Sequence, residues 1–254
     1  MNHKLGLVSI SFRKHSPQEI LVAIQSTPLT CIEWGSDVHC PPEKAAELAA
    51  LQQEYGVECC SYGTYFRLGE TPLEELPAYI DAAKKLGTAI LRLWCGNRNS
   101  EDYAPAERDT LFAACRQAAS LAERAGVTLC MECHNNTYTN RKESALELMK
   151  AISSPAFRMY WQPNQHHTHR ENTESARLLA PYTERIHVFH WIGKEKFPLQ
   201  EGADLWREYL PAFRGQPLLL EFMPDGLLST LPTEAEALKR LAEDCSLSER
   251  FHRH

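Results

Sequence analysis

The chain has 254 residues, a formal net charge of −6 at pH 7, 43% hydrophobic residues and 24% charged residues, the make-up of a globular protein able to bury a sizeable core. The acidic balance disfavours a sequence-independent grip on nucleic-acid phosphates, which needs clustered Lys and Arg, and no apolar stretch nears the ~20 residues that span a bilayer. The nine cysteines are odd in number and irregularly spaced, and as reduced, buried small hydrophobes they point to the cytoplasm.

The N-terminal segment MNHKLGLVSISFRKHS has one short apolar run, broken by Arg13 and Lys14, and is not expected to be a signal peptide. From there β-rich runs alternate with helical patterns. LGLVSISF (5–12) predicts a first strand, and Ser16-Pro17 opens a helix with Ser as N-cap and Pro in the first turn. LTCIEW (29–34) predicts the second strand, and the helix after Pro41-Pro42-Glu43 stops at Gly56. VECCSY (57–62) is the third strand. Its helix lies within 72–87, where Pro77 marks a kink or a late start. TAILRLW (88–94) is the fourth strand, followed by an Ala-rich helix from Pro105 to Ala125 closed by Gly126.

Four further strands follow, VTLCME, FRMYWQ, IHVFH and PLLLE, with helices expected at 143–153, 171–182, 203–210 and 233–244. Eight strands alternating with eight helices and no linker predict one domain, 1–254, folded as a single (β/α)₈ TIM barrel. The basic tail ERFHRH is expected to fray.

Each of the last four runs ends in a residue able to hold or polarise a small molecule: Glu132, Gln162, His190 and Glu221. The gaps are 162−132 = 30, 190−162 = 28 and 221−190 = 31 residues, about one strand-plus-helix unit each. Parallel strands so spaced put their C-terminal ends on one rim, where such barrels keep their chemistry. Two carboxylates, an imidazole and an amide oxygen there suit a divalent cation with mixed N/O preference, Mn²⁺, Mg²⁺ or Zn²⁺. A lone buried polar group is usually satisfied by neighbours, but four at successive strand ends favour an ion.

The pieces IEWGSDVH, SYGTY, LRLWCG, MECHN, IHVFHW and LLLEF, in this order and spacing, resemble the xylose isomerase-like (β/α)₈ barrels, which include sugar isomerases, ketose 3-epimerases and endonuclease IV. The resemblance spans essentially the whole chain. It implies one divalent metal held by Glu132, Gln162, His190 and Glu221, with Glu132 and Glu221 exchanging a proton beside the carbonyl of an open sugar. The chain departs from the family pattern in WQPNQ, where Gln162 and Gln165 stand in place of Asp and His, so a weakly held ion is expected. The same substitutions, with the net charge, argue against the endonuclease branch.

Substrate contacts are expected from His39, Tyr65, Arg92, Trp94, His134, Gln165 and Trp191, with Glu33, Asp37, Trp34, Tyr62, Arg67 and Lys194 as neighbours of the rim. His166, His167 and His169 are read as loop residues. The loops IGKEKFPLQEG and MPDGLLSTLP have too few glycines for a phosphate cradle, so the expected partner is a non-phosphorylated, sugar-like small molecule. Nucleic acid and membrane are not expected as partners, and a homo-oligomer is allowed. The expected function is an isomerase or epimerase working through an enediolate. A lyase or hydratase on a keto-sugar derivative, or a sugar-binding barrel with a weakened metal site, are the alternatives.

Overall fold

A computed structural model of the chain describes residues 3–251. Eight strands, β1 (Leu5–Val8), β2 (Cys31–Gly35), β3 (Glu58–Leu68), β4 (Ile90–Cys95), β5 (Thr128–Glu132), β6 (Phe157–Trp161), β7 (Thr183–Val188) and β8 (Leu218–Leu220), form one closed barrel. Every strand pairs in parallel with its sequence neighbours, and β8 closes on β1 with Leu7 opposite Leu220. Eight helices cover the outside: α1 (Pro17–Ile24), α2 (Ala45–Glu54), α3 (Leu76–Lys85), α4 (Pro105–Ala125), α5 (Lys142–Ile152), α6 (His169–Leu179), α7 (Ala203–Tyr209) and α8 (Leu231–Phe251).

Strand alternation sorts the core into two shells. Leu7, Ile32, Leu91, Leu129, Ile186 and Leu220 share one apolar cluster with helix residues such as Ile20, Leu48 and Leu148. Inside the barrel Val8, Ile10, Cys31, Cys60, Ile90, Cys130, Tyr160 and Leu219 make a separate plug. The cysteines at 31, 40, 59, 60, 95, 115 and 130 are buried free thiols. No helix among the described residues is long and apolar enough to cross a membrane.

Local signals explain most boundaries. Ser16 and Glu19 form a reciprocal capping box at α1, with Pro17 in the first turn. Gly126 closes α4 at φ +71°, a left-handed cap that favours glycine. Pro77 marks a late start: it sits in the first turn of α3, where its missing N–H leaves no carbonyl unpaired. Other bounds differ from the sequence expectation. The first strand ends at Val8 because Ser9–Phe12 turns into a 3₁₀ segment, and the Ser9 hydroxyl then accepts from Gly35 N. β3 runs on to Leu68, and β7 begins at Thr183, after a 3₁₀ turn at Ala180–Tyr182. Of the tail ERFHRH, residues 252–254 lie outside the described residues.

Candidate metal and active site

The outer shell must be apolar to pack against helices, so the polar positions within the strands point inward. At the C-terminal rim this brings Glu132 from β5, His187 from β7 and Glu221, one residue beyond β8, together. One ligand atom from each lies within 4.8 Å of the others. His187 Nδ1 is 3.6 Å from Glu132 Oε1 and 3.4 Å from Glu221 Oε2. Gln162, just past β6, turns its Oε1 to the same nitrogen at 3.0 Å. His187 is fully buried, and Glu132 and Glu221 are 3% and 4% exposed.

His190, expected in this cluster, is not there. In strand alternation His190 has the parity of Ile186 and Val188, and both of those face the helices. The inward parity of β7 belongs to His187, three residues earlier. His190 lies beyond the strand, with its ring against Phe197 and Gly202 and lining a neighbouring cavity with Trp206 and Tyr209. Burial lowers its pKa.

Beneath the cluster lies a second layer that sequence reasoning did not assemble. Arg92 donates from Nε to Glu33 Oε1 at 2.9 Å and from Nη1 to Glu132 Oε2. Glu33 Oε2 accepts from Tyr160 Oη at 2.5 Å and Ser61 Oγ at 2.9 Å, and lies 3.5 Å from His187 Nε2. The Trp94 indole N–H also donates to Glu132 Oε2. Each is an inward position on its strand, the same signal that marks His187.

These neighbours set the protonation states. Burial works against ionisation of Glu33, but Arg92 and His187 outweigh it and bring its pKa down to about 2. Burial likewise opposes the charge on Glu132, and Arg92 with His187 reverses that and holds it far below the usual carboxylate range. Glu221 differs, because among the described residues no side chain donates a hydrogen bond to it. Burial dominates, the negative charge of Glu132 adds to it, and its pKa rises to about 7. His187 would be depressed by burial, yet Glu221, Glu33 and Glu132 around it raise it to about 10.

Glu132, Gln162 and Glu221 line a cavity of about 180 Å³, together with Tyr65, Arg92, Trp94, His134, Gln165 and Trp191. One wall is a stack: the Trp94 and His134 rings lie 4.7 Å apart at 20°, and the Arg67 guanidinium sits 4.1 Å from the Trp94 ring centre. The opposite wall is Phe189, Trp191 and Phe222, with Lys196 Nζ 4.8 Å from the Phe222 ring. Phe222, directly after Glu221, adopts φ +61°, and Ser11 Oγ accepts from its backbone N–H. A left-handed phenylalanine is strained, and it fixes the chain where Glu221 leaves the barrel.

His39 does not line this cavity. It is buried between Ser9 Oγ (3.0 Å) and the His15 carbonyl (3.1 Å), and burial lowers its pKa. Trp34 and Tyr62 are core residues, with the indole N–H donating to Gln52 and the phenol to the Cys40 carbonyl. His167 and His169 line the adjacent cavity shared with His190.

The donor set fits a hard divalent cation: two carboxylates, one imidazole nitrogen and one amide oxygen converge in a buried pocket that opens to the rim. Comparison of the sequence with curated proteins finds no match. Among solved structures, a probable 3-DHS dehydratase involved in petrobactin synthesis from Bacillus anthracis superposes with TM-score 0.77 at 16% identity, over 94% of this chain and 99% of that one. An L-ribulose 3-epimerase gives TM-score 0.75 at 14% identity, over 99% and 98% of the two chains. A xylose isomerase-like TIM barrel protein from Mycobacterium smegmatis in complex with magnesium gives 0.72 at 14%, over 96% and 97%. A family model described as xylose isomerase-like TIM barrel matches residues 22–215, and the chain belongs to that family.

Proposed function

We propose that the protein is a divalent-cation-dependent isomerase or epimerase that moves a proton on the carbon beside the carbonyl of a small, non-phosphorylated sugar or related polyol. The observation that supports this most is the buried meeting of Glu132, His187 and Glu221, whose two carboxylates line a cavity of about 180 Å³. Glu132, Gln162, His187 and Glu221 would hold the ion. When bound, it would stabilise negative charge developing on the oxygens next to the reacting carbon.

The two carboxylates divide the proton work. Glu132 Oε2 already accepts from Arg92 and Trp94, which keeps that side chain ionised at rest as the base, with Oε1 left to take the proton. Glu221 lacks such donors, so its lone pairs are free to take and return a proton. Trp94, His134 and Trp191 offer flat faces to a sugar ring or chain and exclude water. Incubation with a panel of keto-sugars in D₂O and Mn²⁺ should place deuterium on the carbon beside the carbonyl. Glu221→Gln should lower the exchange rate by about 10³-fold or more, of the order expected for loss of a proton-transfer group. No deuterium uptake across the panel would overturn the proposal.

One observation favours a second reading, elimination from a keto-sugar derivative. His134 Nδ1 donates to the Asn135 carbonyl at 2.6 Å, which leaves Nε2 available in the cavity as an additional acid or base. A departing hydroxyl needs such a proton donor. Formation of an unsaturated ketone, seen by ultraviolet absorbance, would select this reading over epimerisation.

A further inference from the structure

We infer that Glu33 is a positioning residue for the candidate metal centre: it holds the Nε2 edge of His187, so that Nδ1 faces the ligand cluster. The inference rests on the reading of Glu132, His187 and Glu221 as a cation site.

His187 is a fully buried imidazole with its two nitrogens in different surroundings. Nδ1 faces Gln162 Oε1 at 3.0 Å, Glu221 Oε2 at 3.4 Å and Glu132 Oε1 at 3.6 Å. Nε2 faces Glu33 Oε2 at 3.5 Å, within ion-pair range but without hydrogen-bond geometry, and no other hydrogen-bond partner appears among the described residues. A ligating histidine needs its second ring N–H held by an oxygen, commonly a carboxylate, which fixes the tautomer and the ring plane. Glu33 is the carboxylate in place to do so. It is itself fully buried and anchored on both oxygens by Arg92, Tyr160 and Ser61. Arg92 then reaches Glu132, so Glu33, Arg92, Glu132 and His187 close a ring of contacts around the site.

Two independent features show that the fold makes room for this layer. The β2–β3 register shifts between Ile32 and Glu33, where Glu33 enters the barrel. On β3, two residues beyond its register partner Ser61, stands Gly63, where an added Cβ would lie 2.3 Å from Glu33 Oε1 and 2.8 Å from Arg92 Nη2. A side chain at 63 cannot coexist with the Glu33–Arg92 pair in its present place. The Tyr160 ring also lies 4.5 Å from that of His187, confining it from the side.

The test is NMR of protein labelled with ¹⁵N-histidine, with and without Co²⁺, for wild type, Glu33→Gln and Tyr160→Phe. Metal-free wild type should show a His187 Nε2–H proton protected from solvent exchange. Its absence overturns the inference without any variant. Glu33→Gln should lose that protection and weaken Co²⁺ binding about 10- to 100-fold, the usual cost of removing such a partner. Tyr160→Phe, which keeps the ring beside His187 and leaves Ser61 and Arg92 on Glu33, should weaken both much less than Glu33→Gln does. Equal loss in Tyr160→Phe would mean general loosening of the core and would overturn the inference, as would a folded Glu33→Gln that binds Co²⁺ as wild type does. Wild type that keeps the protected proton but binds no Co²⁺ would remove the metal reading while leaving the Glu33–His187 contact in place.

Discussion

Glu221 and His187 hold protons that a bound cation would displace, and this gives the metal-free protein a specific pH dependence. Both have folded pKa values raised above their ordinary ones, to about 7 and about 10. A raised value means that the folded state binds the proton more tightly, so the stabilisation is full below the ordinary pKa and is lost as pH rises through the folded one. Metal-free protein should therefore lose thermal stability between about pH 5 and 10, the window set by those values. Glu33, lowered to about 2, acts oppositely: its contribution is present above its ordinary pKa and disappears as pH falls through about 2. Melting curves across pH, with and without Mn²⁺, check this, since the cation should flatten the alkaline loss. Gly63→Ala should destabilise by about 1–3 kcal/mol through overpacking against the buried ion pair, measurable by urea unfolding. At this scale Glu132, Gln162 and Glu221 were legible because each is the polar end of an apolar run. His187 was not, because IHVFH contains two histidines and the end of the run pointed to the wrong one. Counting inward and outward parity from Ile186 and Val188, as Leu129 and Met131 allow on β5, selects His187.

The elements carry the site through their ends. α6 begins at a capping box in which the Thr168 hydroxyl and Glu171 satisfy each other's backbone N–H groups. The loop between β6 and α6 supplies Pro163, Asn164 and Gln165 to the cavity, and its exit is fixed by that cap. Thr168→Ala should cost about 1 kcal/mol of stability and raise KM more than it lowers kcat, because it loosens substrate walls rather than the carboxylates. Steady-state kinetics beside chemical unfolding separate the two effects. Strand and helix order was readable from periodicity and caps, and Gly126 and Ser16 end and begin helices as their types require. The 3₁₀ segments at Ser9–Phe12 and Ala180–Tyr182 were not readable. They depend on tertiary bonds such as Gly35 N to Ser9 Oγ, and a local pattern does not encode these.

Barrel closure converts residues scattered along the chain into one buried charge cluster. Three carboxylates, Glu33, Glu132 and Glu221, face one arginine and one histidine, an excess of negative charge that a divalent cation would offset. A ligand that binds the folded state alone stabilises it by about 2.7 kcal/mol at 100 times its Kd. For a chain of this size that should raise Tm by roughly 5–10 °C, and chelation should reverse it. The second layer of Glu33, Arg92 and Tyr160 was out of reach in the sequence for the same reason: it joins β2, β4 and β6, and no spacing rule reveals a contact across the barrel axis.

Anomalous diffraction from crystals grown with Mn²⁺ and no chelator tests the central claim most directly. A peak about 2.0–2.3 Å from Glu132, His187 Nδ1 and Glu221 is expected, with His190 away from it. No peak there, or one held by His190 instead, would contradict it.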